Sequence, residues 1–155
     1  MKLQVSTQLA IFAILELAER EGVQLSVADI GHKYRVSSHH LAKVMHVMGG
    51  AGLVRAVRGA GGGYKFVGNA KRTTLLDVVE LFEVSSTLKQ ETKLADRTPE
   101  GQALHKILSE VDNIARATLG SITIATMRKL VGRYDPRNNA PSQPGLSRRT
   151  SQPRA

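Results

Sequence analysis

Five histidines stand at positions 32, 39, 40, 46 and 105, and three of them fall in the stretch HHLAKVMHVMGGAGLVRAVRGAGGGYKF, from His39 to Phe66. That stretch also carries seven of the fourteen glycines and no acid. Three chemistries suit such residues: metal ligation by imidazoles, a backbone cradle for phosphate, and contact with a polyanion. His39 and His40 are adjacent, so on a helix their side chains diverge by about 100° and do not readily chelate one ion. His32, His46 and His105 lie on different elements, so no metal site is expected. The glycines at 59 and 61–63 are not a dinucleotide fingerprint, because Tyr64 takes the place of the last glycine of G-x-G-x-x-G, and no G-K-[ST] triplet marks a Walker loop. G-x-S-x-G and H-E-x-x-H are both missing. No enzyme and no cofactor are expected, which leaves the polyanion.

The charge supports it. The 155 residues carry a net charge of +9, with +3 in residues 1–84, +2 in 85–131 and +4 in 132–155. From Ile30 to Leu76 there is no acid, and eight bases stand there: Lys33, Arg35, Lys43, Arg55, Arg58, Lys65, Lys71 and Arg72. An ordinary solvated surface mixes signs, so a one-sign stretch of this length points to a polyanionic partner. Cysteine is absent, which removes disulfides, thiolate catalysis and cysteine-ligated zinc or iron–sulfur clusters. No apolar run approaches the ~20 residues of a bilayer span. The first segment lacks the features of a signal peptide. A cytoplasmic protein with no membrane partner is expected.

These residues need elements to position them. Apolar residues at Leu9, Phe12, Ala13, Leu15 and Leu17 predict a helix over 5–20, with Glu16, Glu19 and Arg20 off that face, Ser6 or Thr7 at its cap and Gly22 at its end. Ser26 with Asp29 forms a capping-box pattern for a second helix, whose apolar face is Val27, Ala28, Ile30 and Tyr34. Ser37 is a good N-cap for a third helix running to about Met48. Its inward face is Leu41, Val44, Met45 and Met48, and its outward face is Ser38, His39, His40 and Lys43. Residues 53–57 and 64–67 alternate as two strands around a glycine turn. Thr73 or Thr74 caps a fourth helix, with Glu80 and Glu83 on its wet side. Thr98-Pro99 opens a long helix with Leu104, Ile107, Leu108, Val111, Ile114, Ala115 and Thr118 on one stripe. Gly120 breaks it, and Thr123 caps a short last helix to Leu130.

Helix, helix, turn, helix and hairpin make a mainly α winged helix-turn-helix with a two-stranded β wing plus a long dimerisation helix. In such a fold the start of the third helix faces the major groove. The expected DNA-binding residues there are Ser37, Ser38, His39, His40 and Lys43. On the wing they are Arg55, Arg58, Gly59, Gly62, Gly63, Tyr64 and Lys65, where basic side chains track a backbone or enter a minor groove. The apolar stripe of the long helix needs a cover. A second copy supplies it, giving a two-fold dimer and a palindromic double-stranded operator.

The stretch VSSHHLAKVMHVMGGAGLVRAVRGAGGGYKF, with TTLLDVVELFE and LGSITIATMRKL further on, resembles the Rrf-two family of bacterial winged-helix regulators, whose members include iron–sulfur assembly and nitric-oxide-sensitive repressors. The resemblance covers about the first 130 residues, and LVRAVRGAGGGY is its most specific part. It implies a homodimeric transcription factor, usually a repressor, with Ser37–Met48 as recognition helix and Arg58 to Tyr64 as wing tip. Ala60 stands where relatives often have proline. Many members also place three cysteines between the fourth and the long helix. Residues 85–97 here have none, and Gln8 stands where one branch has an aspartate ligand. The resemblance therefore implies a branch without the cluster, in which an unidentified small molecule or protein could be the effector.

The expected organisation is a DNA-binding domain over 1–84, a loop over 85–97 at the relatives' cluster position, the dimerisation and terminal helices over 98–131, and a disordered basic tail over 132–155. Two rival functions remain: a module whose main ligand is another protein, and a haem or metal sensor using histidines.

Overall fold

The computed structural model describes residues 2–83 and 98–135. Eight elements lie there in chain order: α1 (Val5–Glu19), α2 (Val27–Tyr34), α3 (Ser38–Gly50), β1 (Val54–Val57), β2 (Gly63–Phe66), α4 (Leu75–Glu80), α5 (Pro99–Ser121) and α6 (Ile124–Tyr134). The expected loop over 85–97 and most of the expected tail lie outside the described residues.

α1 is the axis of the fold. It packs against α3, α4, β2 and α6, and Leu9, Ala10, Ile11, Ala13, Ile14, Leu15, Leu17 and Ala18 are all buried. A helix surrounded on several sides has no single apolar face, and so the simple periodicity misplaces two residues. Phe12, expected inside, is half-exposed and stacks on Tyr34 with ring centroids 5.1 Å apart. Glu16, expected outside, is buried. Its carboxylate pairs with Lys33 and accepts a hydrogen bond from the Tyr34 hydroxyl at 3.1 Å. Burial, with the Glu16 charge and that hydrogen bond, holds the Tyr34 hydroxyl protonated above the usual phenol range. No buried side-chain polar atom among the described residues lacks a partner.

α2 begins with the expected capping box: the Ser26 hydroxyl accepts from the Asp29 amide at 3.0 Å, and Asp29 receives the Ser26 amide in return. The turn to α3 passes through Arg35 in the left-handed region at φ 54. The Val36 amide donates to the Gly31 carbonyl at 2.9 Å. Gly31 is buried, and a Cβ there would lie 3.0 Å from the Val36 carbonyl oxygen, so the two helices of the motif can close up. From α3, Leu41, Val44, Met45 and Met48 are buried as expected. Gly49 and Gly50 continue that helix, and Gly52, at φ 73, turns the chain out of it.

The last two helices are longer than the sequence suggests. α5 runs through Gly120, where a Cβ would make only ordinary contact with Leu76 of α4 at 3.5 Å. It stops because the backbone is drawn away: the Leu75 amide donates to the Ile122 carbonyl at 2.8 Å, and the Ile124 amide donates to the Thr73 carbonyl at 2.9 Å. Each bond satisfies a first-turn amide that a helix start leaves without an internal partner. α6, capped by Thr123 as expected, continues past Leu130 to Tyr134, through Gly132 where the tail was expected to begin. Its Ile124 is fully buried and belongs to the same core as α1. Burying such a side chain is worth roughly 1.5–3 kcal/mol, so α6 anchors α5 to the N-terminal helices. No helix among the described residues is long and apolar enough to cross a membrane.

Candidate nucleic-acid interface

α3 and the hairpin hold the residues singled out above. The inner side of α3 is held by its four buried residues, which forces Ser38, His39 and Lys43 outward, and all three are exposed. Ser37 is the N-cap by backbone geometry, but its side chain makes no capping hydrogen bond. The first-turn amides of α3 and the Ser37 hydroxyl are not consumed by each other. His40 differs from its neighbours. It is half-buried, and its Nε2 lies 3.0 Å from the Ser6 Oγ of α1.

The hairpin follows the C-terminal end of α3. Its antiparallel register pairs Val54 with Phe66, Arg55 with Lys65, Ala56 with Tyr64, and Val57 with Gly63. Arg55 and Lys65 are therefore directly opposed on one face. Like charges in that position repel, and neither pairs with a carboxylate among the described residues; nor do Lys43 and Arg58. Such a pair is at ease only in strong solvation or against an anion.

The remaining wing glycines have separate reasons to be glycine. Gly59 and Gly61 sit at φ 107 and φ 74, a region that L side chains rarely adopt. Gly62 and Gly63 are crowded instead. A Cβ at Gly63 would lie 2.3 Å from the Leu25 carbonyl oxygen, and one at Gly62 would lie 2.6 Å from the Val57 carbonyl oxygen. The first contact exists because Leu25 and Tyr64 exchange backbone hydrogen bonds of 2.9 Å each way. The segment before α2 thus meets the wing through one isolated antiparallel bridge. Gln24 also donates to the Gly61 carbonyl at 2.7 Å. Sequence reasoning missed this tie; the GGGY run signalled a close approach without saying to what.

Ser37, Ser38, His39 and Lys43 thus come together on the first turns of α3, and Arg55, Tyr64 and Lys65 come together on the sheet. Arg58, Gly59 and Gly62 form the tip. Tyr64 is half-buried and packs on the core, so its backbone and ring support the wing from within. No group of three or more histidines, cysteines or carboxylates that could hold a metal occurs among the described residues. Glu83, expected on the wet side of α4, instead accepts hydrogen bonds from the Thr7 hydroxyl at 2.6 Å and the Gln4 amide at 2.7 Å, at the start of α1. Glu80 pairs with Arg116 of α5. Neither acid forms an ion pair with a basic residue of α3 or the wing among the described residues.

Comparison with known proteins agrees with this architecture. Residues 3–129 match the model of the Rrf2 family, described as an iron-dependent transcriptional regulator. Over 131 residues the chain is 46% identical to BadM of Rhodopseudomonas palustris, described as an HTH-type transcriptional regulator, covering 84% of this chain and 83% of that protein. Among solved structures it is similar to CymR of B. subtilis, titled the global cysteine regulator, with TM-score 0.70, 22% identity, and coverage of 84% of this chain and 98% of that one. It is similar to IscR of T. potens with TM-score 0.68, 24% identity, and coverage of 87% and 91%. At these identities the two structures speak for the winged-helix fold, and the family match and BadM speak for the activity. The chain belongs to the Rrf2 family, and with it to the DNA-binding transcriptional regulators rather than the enzymes.

Proposed function

We propose that this regulator is a homodimeric repressor that reads a palindromic operator with α3 and the wing and competes there with the start of transcription. The observation that carries the reading is the acid-free surface of α3 and the hairpin, above all Arg55 and Lys65 opposed in register with no carboxylate partner among the described residues. In this reading residues 1–84 form the DNA-binding unit. Ser38, His39, His40 and Lys43 face the major groove, with Ser37 and the first amides of α3 near a phosphate. Arg55, Arg58 and Lys65 follow the backbone, and Gly59, Gly62, Gly63 and Tyr64 shape the tip.

Residues 98–131 form the dimerisation unit. Leu104, Ile107, Val111 and Ile114 are 57%, 59%, 58% and 68% exposed, an apolar row that water does not favour. Leu108 and Ala115 flank it half-buried, and Thr118 continues it with its hydroxyl bonded to the Ile114 carbonyl. A second α5 laid along this row would cover it.

The family description names iron, and the donor set does not suit a cysteine-ligated cluster. The sequence has no cysteine, so no thiolate is available from this chain at any position. The proposed repressor works without such a cluster.

The test is binding to a promoter fragment enriched by genomic footprinting. Lys43→Ala and Arg58→Ala should each weaken binding. A lost base contact would cost about 1–3 kcal/mol and relax specificity, whereas a lost phosphate contact would lower the salt slope by about one. If both variants bind like the wild type, this surface is not the interface.

A further inference from the structure

The one histidine of α3 that is not free on the outer face is held by α1, and the turn of α1 that holds it is itself held by Glu83, three residues past the end of α4. Ser6 touches the His40 ring. The two residues on either side of Ser6 that bond elsewhere, Gln4 and Thr7, both donate to the same Glu83 oxygen, Oε1. Thr7 is fully buried and Gln4 is exposed, so the Thr7 bond is the inner of the two. A carboxylate there also faces the positive end of α1. Glu83 is the last described residue before position 98, 76 residues from Thr7 and 43 from His40 in the chain, yet a single helical turn lies between them in space.

We propose that Ser6 and Glu83 are positioning residues for the recognition helix: Glu83 pins the first turn of α1 on both sides of Ser6, and Ser6 orients His40 and with it the start of α3. Neither needs to touch DNA. Their joint effect is on specificity, because the position of an imidazole at the third residue of α3 decides which groove edge it can meet. The proposal rests on α3 being the reading helix, as argued above. It also has a readout that does not involve DNA.

That readout is the ring nitrogen spectrum of His40 in the full-length protein, followed by NMR at constant pH. Ser6→Ala removes the direct contact and should shift the Nε2 signal. Glu83→Ala, which does not touch His40, should shift the same signal in the same direction. Should Glu83→Ala fold poorly, Thr7→Val deletes one of the two hydroxyl and amide bonds in nearly the same volume and should produce a smaller shift, while Glu83→Gln keeps an acceptor and should restore most of the wild-type spectrum. On operator DNA, Ser6→Ala and Glu83→Ala should each weaken binding about two- to tenfold, the range of one hydrogen bond. The double variant should be no weaker than the worse single, because both act through one ring. A His40 signal that moves with Ser6→Ala but stays put in folded Glu83 and Thr7 variants overturns the link. Additive losses on DNA overturn it too. Should Lys43→Ala and Arg58→Ala leave DNA binding unchanged while the His40 shifts appear, the interface assignment fails and the link stands, so the two failures are distinct.

Discussion

Gly63 and Gly50 show how the same residue type carries different obligations. At Gly63 a Cβ would collide with the Leu25 backbone at 2.3 Å, whereas at Gly50 nothing lies within 4 Å of one. Gly63→Ala should therefore push the wing off the segment before α2 and destabilise the fold by about 1–3 kcal/mol, the usual cost of overpacking. Gly50→Ala, in the last turn of α3, should stabilise by up to about 1 kcal/mol through helix propensity. Urea unfolding of the two variants separates them, and equal effects would refute the close approach of Leu25. Composition marks both as glycine in a glycine-rich stretch. Which one is crowded depends on a chain segment 38 residues earlier (63 against 25), and no local pattern encodes that. The same holds for His40 and Glu83: each looks like a solvated polar residue, and each is held by a residue of α1 distant in sequence.

Elements were more legible than residues, because caps are local. Ser26 with Asp29, Thr74 with Asp77, Thr98 before Pro99, and Thr123 all cap helices with side-chain bonds, and each is readable as a hydroxyl a few residues ahead of an apolar run. Two helix starts differ: Ser37 occupies the cap position of α3 and makes no side-chain cap bond, and the cap of α1 falls on Gln4, also without one, rather than on the expected Ser6 or Thr7, which lie inside the helix. Ser26→Ala should cost about 1 kcal/mol, the usual worth of such a cap. Ser37→Ala should leave thermal stability nearly unchanged while weakening DNA binding. A matched drop in melting temperature for the two would show that Ser37 serves the fold after all. Helix ends were less legible. Gly120 reads as a breaker and Gly132 as the start of a tail, yet α5 and α6 run through them. A glycine inside a helix costs only about 1 kcal/mol, which a helix of this length absorbs, and the true stop after Ser121 comes from backbone bonds to Thr73 and Leu75.

For the whole molecule, the exposed apolar row on α5 is the surface that calls for a cover. Ile107→Glu combined with Val111→Glu should convert the proposed dimer to a monomer in sedimentation velocity. Operator affinity should fall by a factor of at least about 100, because two linked half-site contacts become one. A variant that still sediments as a dimer would place the interface elsewhere. The residue types and their order along the chain determine on their own the winged-helix class, the basic acid-free stretch, the local caps and the lack of any thiolate, since each is a matter of composition or of neighbours within one turn. The tertiary structure alone decides that α1 is buried on several sides with Glu16 inside, that Leu25 runs beside the wing, that α6 is anchored in the core through Ile124, and that Glu83 and Ser6 meet the start of α1 and the side of α3. Those facts join residues tens of positions apart, and only the packing of apolar faces around a central helix brings such residues within hydrogen-bonding distance.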